Sequence, residues 1–300
     1  MRVLVVGSIA LDTVKTPLGE VEDALGGSAV HFSAAARYFA PVGMVGVVGE
    51  DFPMEGLDFL RAGSVDIQGV QTAKGRTFRW SGVYGSDLNE RETLDTQLNV
   101  FADFHPELPE SYRDAPYVFL ANIDPTLQLD VLDQVRAPKR VVCDTMNFWI
   151  EGKREVLLEV LKRTDIVMLN EGEIRQLVGE SDLIKASKKV LNLGPEVVVV
   201  KKGEHGALMV SKDAFFFAPA YPTEHVFDPT GAGDSFAGGF VGYLAQVDDF
   251  DQESLRKAVI YGSVMASFNV ERFSMERLKN LEEKEIEERF GAFREMVRVD

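Results

Sequence analysis

Short apolar runs recur along this 300-residue chain, and each ends at glycine or at polar residues. The clearest are Val3–Val6, Val42–Val48 and Val197–Val200. Continuous runs of this length, rich in β-branched residues, are typical of strands that are buried on both faces of a parallel sheet. Stretches with helical periodicity lie between and after these runs, for example residues 152–162 and 253–269. Since parallel strands need crossover helices, the pattern predicts an α/β fold with a doubly wound, mostly parallel sheet flanked by helices.

The overall charge excludes several kinds of partner. The formal net charge is −16, and no run of five or more basic residues occurs. Such a chain repels nucleic acid and anionic membrane surfaces. No apolar run reaches the roughly 18 residues that a membrane span requires, and the first residues follow a strand pattern rather than that of a signal peptide. We therefore expect neither nucleic acid nor a membrane as a partner.

A single cysteine, Cys143, lies within the apolar run of residues 141–143. One cysteine cannot form a disulfide within the chain, and in such a run it ordinarily acts as a small buried residue rather than as a nucleophile. Both features fit a reducing compartment, so we expect a cytoplasmic protein.

The most specific motif is Asp228-Pro229-Thr230-Gly231-Ala232-Gly233-Asp234, which is followed by a helical pattern of apolar residues. Proline favours turn or extended geometry in the residue before it, and glycines allow close backbone approach. A helix start of this kind presents free N–H groups that bind anions. A carboxylate placed there has a role if it accepts a proton from a hydroxyl that attacks a phosphoryl group. The simpler interpretation is an acidic first turn that suits the helix dipole.

Four further polar or glycine-rich stretches follow predicted strands or precede helices. They are Asp12, the pair Gly26-Gly27 ahead of a helix that contains His31, the segment Asn170–Glu173, and the segment Lys201–Gly206. Ligands of open α/β sheets bind outside the carboxyl ends of the strands, so we expect these stretches near one edge of the sheet. Taken singly, each has an ordinary explanation, such as a tight turn or a helix cap.

In this order, the stretches resemble the PfkB, or ribokinase-like, carbohydrate kinase family from Gly7 to about Phe273. The resemblance implies that residues 1–300 form one ribokinase-like domain, with a small β-sheet lid inserted at about residues 13–25 and 76–100. It also implies an enzyme that transfers the γ-phosphate of ATP to an alcohol, most often a primary hydroxyl. ATP and Mg²⁺ are the expected cofactors, and dependence on a monovalent cation stays open.

The resemblance assigns catalytic and acceptor roles at matching positions. Asp234 would be the base, and the N–H groups of residues 231–234, namely those of Gly231, Ala232, Gly233 and Asp234, would stabilise the transferring phosphoryl group. Substrate hydroxyls would be held by Asp12, Gly26 and Gly27. His31 joins this set, although the family often has asparagine at its position.

The resemblance also implies where the nucleotide and the metal bind. The residues expected to contact ATP are Asn170, Lys201, Gly203, Gly206 and Gly262. Lys201 stands where the family often has threonine, so its side chain either adds a phosphate contact or points to solvent. Glu173 would organise Mg²⁺, largely through water, because this ion prefers oxygen ligands and keeps several waters.

The acceptor is less well defined than the reaction. We expect a hydroxyl group of a sugar as the acceptor, with a nucleoside as the alternative. The alternating pattern of residues 76–84 predicts a half-exposed antiparallel strand with Phe78 and Trp80 on one face. That face stacks on a base, covers a sugar, or is buried against a second subunit of a homodimer.

Other classes of protein fit the sequence less well. A non-catalytic sugar or nucleotide sensor on a kinase fold is the main alternative, because fold alone does not fix function. The lone Gly7 after the first strand disfavours a dinucleotide-binding oxidoreductase, and no Walker A pattern is present to indicate a P-loop kinase.

Overall fold

Two sheets organise the computed structural model, which describes residues 2–298. Met1 and residues 299–300, which belong to the predicted domain, lie outside the described residues. The nine strands of the main sheet are, in spatial order, β13 (Phe215–Ala218), β12 (Ala207–Ser211), β11 (Val197–Lys201), β10 (Ile166–Asn170), β9 (Arg140–Asp144), β8 (Tyr117–Leu120), β1 (Val3–Val6), β4 (Val42–Gly49) and β5 (Val65–Ala73).

All pairs between β11 and β5 are parallel, whereas β12 and β13 are antiparallel additions at one edge. The predicted fold class, a doubly wound and mostly parallel α/β sheet, is therefore confirmed. Strand β5 was not predicted, because its exposed and buried residues mix without the continuous apolar run of the central strands.

Helices cover both faces of this sheet. They are α1 (Ser28–Ala36), α2 (Asp58–Ala62), α3 (Pro125–Gln134), α4 (Asn147–Gly152), α5 (Arg154–Leu161), α6 (Glu171–Val178), α7 (Leu183–Leu191), α8 (Ala232–Val247), α9 (Gln252–Asn269), α10 (Glu276–Lys279) and α11 (Glu283–Met296). Alternate residues of β1 point to opposite faces: Val3 and Val5 belong to the core that includes α1, α8 and α9, whereas Leu4 and Val6 belong to a second core. This explains why the central strands are apolar throughout.

The second sheet has four strands, in the order β3 (Gly19–Gly26), β2 (Ala10–Thr16), β6 (Phe78–Tyr84) and β7 (Arg91–Gln97). The segments expected to form a lid, residues 13–25 and 76–100, contribute to it. Strand β6 is antiparallel to β7 but parallel to β2, so the prediction of an antiparallel strand holds on one side only. Every residue of β7 is exposed.

Two helical stretches are interrupted. A 3₁₀ turn, Met54–Leu57, precedes α2. The terminal stretch breaks between α10 and α11, where Glu282 forms a capping box with Glu285 at the start of α11. Within residues 2–298, no helix is long and apolar enough to cross a membrane.

Candidate active site

The turn of residues 228–234 leads into α8 at the carboxyl edge of the main sheet. Gly231 adopts a left-handed conformation, with φ 73° and ψ 2°, as the N-cap of α8. A Cβ at this position would overlap the ring of His31, which lies directly against the turn. The Asp228 carboxylate accepts a hydrogen bond of 2.9 Å from the Thr230 N–H. Gly231 is therefore required both by its backbone angles and by its packing.

The turn offers fewer free N–H groups than expected. The Ala232 N–H donates to the Pro229 carbonyl at 3.2 Å, so it is engaged within the turn and its predicted anion contact stays a prediction. Among the described residues, no acceptor lies within hydrogen-bonding distance of the Gly231 and Gly233 N–H groups. These two amides at the N-terminus of a sixteen-residue helix are therefore free to donate to an anion.

Asp234 is half-buried in the first turn of α8. Burial and the nearby Asp144 carboxylate raise its pKa to about 7, while Lys201 and Arg91 act in the opposite direction. A carboxylate with a pKa near 7 is a better proton acceptor at neutral pH than an ordinary aspartate. The side chain therefore has a basicity suited to accepting the proton of an alcohol that attacks a phosphoryl group.

Asp12, on β2, faces the same site from the second sheet. A Cβ on Gly26 would overlap the Asp12 carboxylate, so glycine at position 26 makes room for it. Burial raises the pKa of Asp12 to about 7, with contributions from the carboxylates of Asp228 and Asp234. Gly27, with φ 96°, is the N-cap of α1. Its backbone N–H acts on the Asp12 carboxylate as a hydrogen-bond donor, which lowers the pKa in part. Asp12 and Asp234, at the two predicted ends of the site, therefore lie close enough for the charge of Asp234 to raise the pKa of Asp12.

His31 lies beneath the turn, against Gly231, and its ring is hydrogen-bonded to a residue of α9. Its side chain is 2% exposed, and Nδ1 lies 2.9 Å from Oδ1 of Asn269. Asn269 in turn donates to the Thr230 carbonyl at 2.8 Å and accepts a hydrogen bond of 3.0 Å from Ser235. Burial lowers the pKa of His31 to about 4, so the ring is neutral at pH 7. His31 is therefore placed to support the turn, and its predicted contact with the acceptor stays a prediction.

Asn170 and Glu173 form a capping box at the start of α6. The Asn170 side chain accepts from the Glu173 N–H at 2.8 Å, and the two Glu173 oxygens accept from Asn170 at 2.7 Å each. Burial and the Asp144 carboxylate raise the pKa of Glu173 to about 7, against the effect of Lys201. No group of three or more possible metal ligands occurs in residues 2–298. One buried carboxylate beside an anion site nevertheless suits Mg²⁺, which takes its remaining ligands from water and phosphate.

Lys201 points into the site rather than to solvent. Its Nζ lies 2.5 Å from Oδ2 of Asp144, and the two side chains are only 18% and 5% exposed. A Cβ on Gly233 would stand 3.2 Å from the same Nζ, so the ammonium lies over the first turn of α8. Burial opposes the charge, but Asp144 and Glu173 outweigh it and the pKa of Lys201 is raised. Asp144 was not among the predicted site residues.

The three other glycines expected to contact ATP have structural explanations. Gly203, with φ 53°, makes room for the Asn89 side chain, and Gly206, with φ 86°, makes room for the Ala218 carbonyl. A Cβ on Gly262 would come within 2.9 Å of the Phe236 carbonyl. Gly262 is therefore buried where α9 packs against α8, and its predicted contact with ATP stays a prediction.

Strands of the second sheet close one side of the site. The Tyr84 hydroxyl lies 3.2 Å from the Thr230 hydroxyl. This hydrogen bond connects β6 to the turn of residues 228–234. Arg91, at the start of β7, lowers the pKa of Asp234, although burial and Asp144 raise it. Sequence reasoning assigned neither residue a role, because contacts between separate sheets leave no local pattern.

An aromatic side chain stands next to Asp12 on this sheet. Trp80 is paired with Asp12 across β6 and β2, so the two side chains share one face. The indole covers Gly82, where a Cβ would overlap the ring. The Arg91 guanidinium lies 5.9 Å from its centroid. Trp80 therefore places an aromatic ring on the same face of the second sheet as the Asp12 carboxylate.

The raised pKa of Asp234 predicts a pH-dependent gain in stability for Asp234→Asn. Because the folded state disfavours the ionised carboxylate, the wild-type chain loses stability as the pH rises from about 4, the unfolded pKa, to about 7. We expect the variant and wild type to have equal Tm values at pH 4. At pH 8 the variant should melt higher by about 2–6 °C. A differential scanning calorimetry series tests this, and a lower Tm for the variant at pH 8 would contradict it.

Comparison with known proteins gives consistent results. The model of the pfkB family of carbohydrate kinases matches residues 2–279. A cytidine kinase of Thermococcus kodakarensis is 34% identical over 80% of this chain and 87% of its own length. A nucleoside kinase of Methanocaldococcus jannaschii is 26% identical over 79% of this chain and 78% of its own.

Solved structures show the same fold. A putative ribokinase II from E. coli has TM-scores of 0.82 in its apo form and 0.80 in complex with ATP and Mg²⁺. Each of these structures is 23% identical and covers 97% of this chain and 99% of its own.

Proposed function

Since this chain belongs to the pfkB family of carbohydrate kinases, and is thus a phosphotransferase that acts on alcohol groups, we propose that it phosphorylates the primary hydroxyl of a nucleoside with ATP. The reaction class is that of carbohydrate and nucleoside kinases. The identity of the acceptor and the roles of individual residues are the parts proposed here.

Asp234 and the turn would carry the chemistry. Asp12 holds the acceptor hydroxyls, and Asp234 takes the proton of the attacking hydroxyl. The acceptor oxygen bonds to the γ-phosphorus as the bond to the β–γ bridging oxygen breaks, and ADP leaves. The Gly231 and Gly233 N–H groups stabilise charge on the transferring group. Mg²⁺, held near Glu173 through water, would neutralise phosphate charge when bound.

The observation that carries the choice of a nucleoside is the position of Trp80. A flat indole, supported from behind by Gly82 and placed on the same face as Asp12, suits a planar base whose ribose hydroxyls reach the carboxylate. A simple sugar has no aromatic face to use this surface. The two relatives named as cytidine and nucleoside kinases support the same choice.

A ligand panel tests the proposal. Thermal shifts would be measured for cytidine, other nucleosides, ribose and fructose, each with Mg²⁺ and a non-hydrolysable ATP analogue. We expect at least one nucleoside to raise the Tm and the free sugars to leave it unchanged. Stabilisation by a sugar and by no nucleoside would exclude a nucleoside acceptor, and absence of turnover with every bound alcohol would favour a non-catalytic sensor.

Replacing Trp80 by alanine should weaken binding of the acceptor and leave the rate of phosphoryl transfer nearly unchanged. We expect the KM of the nucleoside to rise about 10–100-fold, because base stacking on an aromatic side chain contributes about 1–3 kcal/mol. The kcat should stay within about threefold, since Trp80 touches no reacting atom in this account. Steady-state kinetics with saturating ATP measure both values.

Two variants serve as controls for that measurement. Trp80→Phe keeps an aromatic face and should recover most of the affinity. Leu18→Ala removes a side chain that is 49% exposed in the turn between β2 and β3 of the same sheet and should leave the KM unchanged. Equal KM values for Trp80→Ala and wild type would contradict the stacking role.

The second sheet would act as a lid over the acceptor, within one domain. Its edge strand β7, with every residue exposed, would be the surface at which two copies pair as a homodimer. Light scattering after size exclusion tests the pairing, and a monomer at micromolar concentration would contradict it.

Activity in K⁺ compared with Na⁺ tests for a monovalent cation.

A further inference from the structure

We infer that Lys201 is the side-chain cation of the phosphoryl-transfer centre and that Asp144 positions it, an inference that rests on the proposed reaction but not on the acceptor. Lys201 ends β11 and Asp144 ends β9, on either side of β10. Their ion pair of 2.5 Å therefore crosses the carboxyl edge of the sheet, where ligands of such folds bind.

The ammonium is aimed at the place where the phosphoryl group would be held. Its Nζ would stand 3.2 Å from a Cβ on Gly233, whose N–H has no acceptor within residues 2–298. An ammonium has three N–H donors, and one of those of Lys201 donates to the Asp144 carboxylate. The remaining donors are available to phosphate oxygens beside the free amides of the turn.

The negative charge around the site explains why a cation is needed there. Three carboxylates influence the same region, those of Asp144, Glu173 and Asp234, and the whole chain carries a net charge of −16. An approaching triphosphate is therefore repelled unless cations are placed locally. A buried lysine–aspartate pair is in itself weak evidence for stability, because desolvation offsets the attraction. Its position at the anion site points to a role in binding and catalysis.

Lys202 provides a contrast one residue further along the chain. Its Nζ lies 2.6 Å from Oε1 of Glu171, and the two side chains are 14% and 30% exposed. The same ammonium lies 5.6 Å from the centroid of the Phe217 ring. Lys202 therefore has the same charge and similar burial, but its partners are Glu171 and Phe217 rather than the residues of the turn.

The test compares Lys201→Met with Lys202→Met by calorimetric titration of ADP and of AMP-PNP, each with Mg²⁺. We expect Lys201→Met to bind AMP-PNP about 10–100-fold more weakly and ADP within about threefold of wild type, since charge-assisted hydrogen bonds are the strong ones. Its kcat should fall about 100-fold or more. Lys202→Met should match wild type in all three values within about threefold.

Two further variants separate positioning from folding. Lys201→Arg keeps the charge and should recover part of the AMP-PNP affinity. Asp144→Asn should lower kcat and raise the KM of ATP while the KM of the acceptor is unchanged, a split that a general loss of structure would not produce. Wild-type AMP-PNP affinity and kcat in Lys201→Met, or equal weakening of ADP and AMP-PNP, would overturn the inference.

These outcomes are independent of the acceptor. Nucleotide affinity is measured with no acceptor present, so a sugar acceptor would overturn the proposed function and leave the result for Lys201 intact. Nucleoside turnover with normal kinetics in Lys201→Met would overturn the inference alone.

Discussion

Replacement of Asp234 by asparagine is expected to lower kcat about 10²–10⁴-fold, the range that a positioned general base contributes. Asparagine keeps the size of the side chain and cannot accept the proton of the attacking hydroxyl. The affinity for AMP-PNP should stay within about threefold of wild type, because the free amides of Gly231 and Gly233 are retained. Steady-state kinetics and calorimetric titration measure the two values.

The control for this variant is Asp213→Asn, which makes the same chemical change at an exposed loop position. It should leave both kcat and nucleotide affinity unchanged. Near-wild-type turnover in Asp234→Asn would remove Asp234 as the base. Loss of AMP-PNP affinity as large as the loss of kcat would show that the substitution disturbs the turn instead.

Gly231→Ala is expected to have the second-largest effect, on both turnover and stability. A side chain at φ 73° costs about 1–3 kcal/mol. Its Cβ would also overlap the His31 ring, so the turn must move and carry its two free amides with it. Misplacing one such donor lowers kcat about 10²–10³-fold. Denaturant unfolding and steady-state kinetics measure the two losses.

Gly291→Ala in α11 is the matched control, because nothing lies within 4 Å of its added Cβ. It should be neutral or slightly stabilising, as alanine favours a helix over glycine. The double variant Gly231→Ala, His31→Ala should recover part of the lost stability by removing the overlap. A fully stable and active Gly231→Ala would contradict the packing described for the turn.

The main sheet could be predicted because its central strands carry a local signal. Val3–Val6 and Val197–Val200 are apolar on both faces, and such runs occur where helices cover both sides of a sheet. The turn at Gly231 was likewise identified from local chemistry, since glycine spacing and Asp234 suffice to indicate an anion site at a helix start. The family resemblance then placed Asp12 in the same site.

What could not be predicted depends on contacts between distant segments. The pair of Asp144 and Lys201 forms because β9 and β11 both flank β10, an order that no local pattern contains. His31 was expected to contact the acceptor because its position matches that of a family residue. Its hydrogen bond to Asn269, at the end of α9, joins residues far apart in the chain and left no local pattern to predict it from.

The most direct test of the account is the identity of the phosphorylated product. Wild-type protein would be incubated with ATP, Mg²⁺ and a panel of nucleosides and free sugars, and products would be identified by ³¹P NMR. We expect a nucleoside 5′-monophosphate, formed in a one-to-one ratio with ADP and absent when Asp234→Asn replaces the wild type. A phosphorylated free sugar with no nucleoside product, or product formation at the wild-type rate by Asp234→Asn, would contradict it.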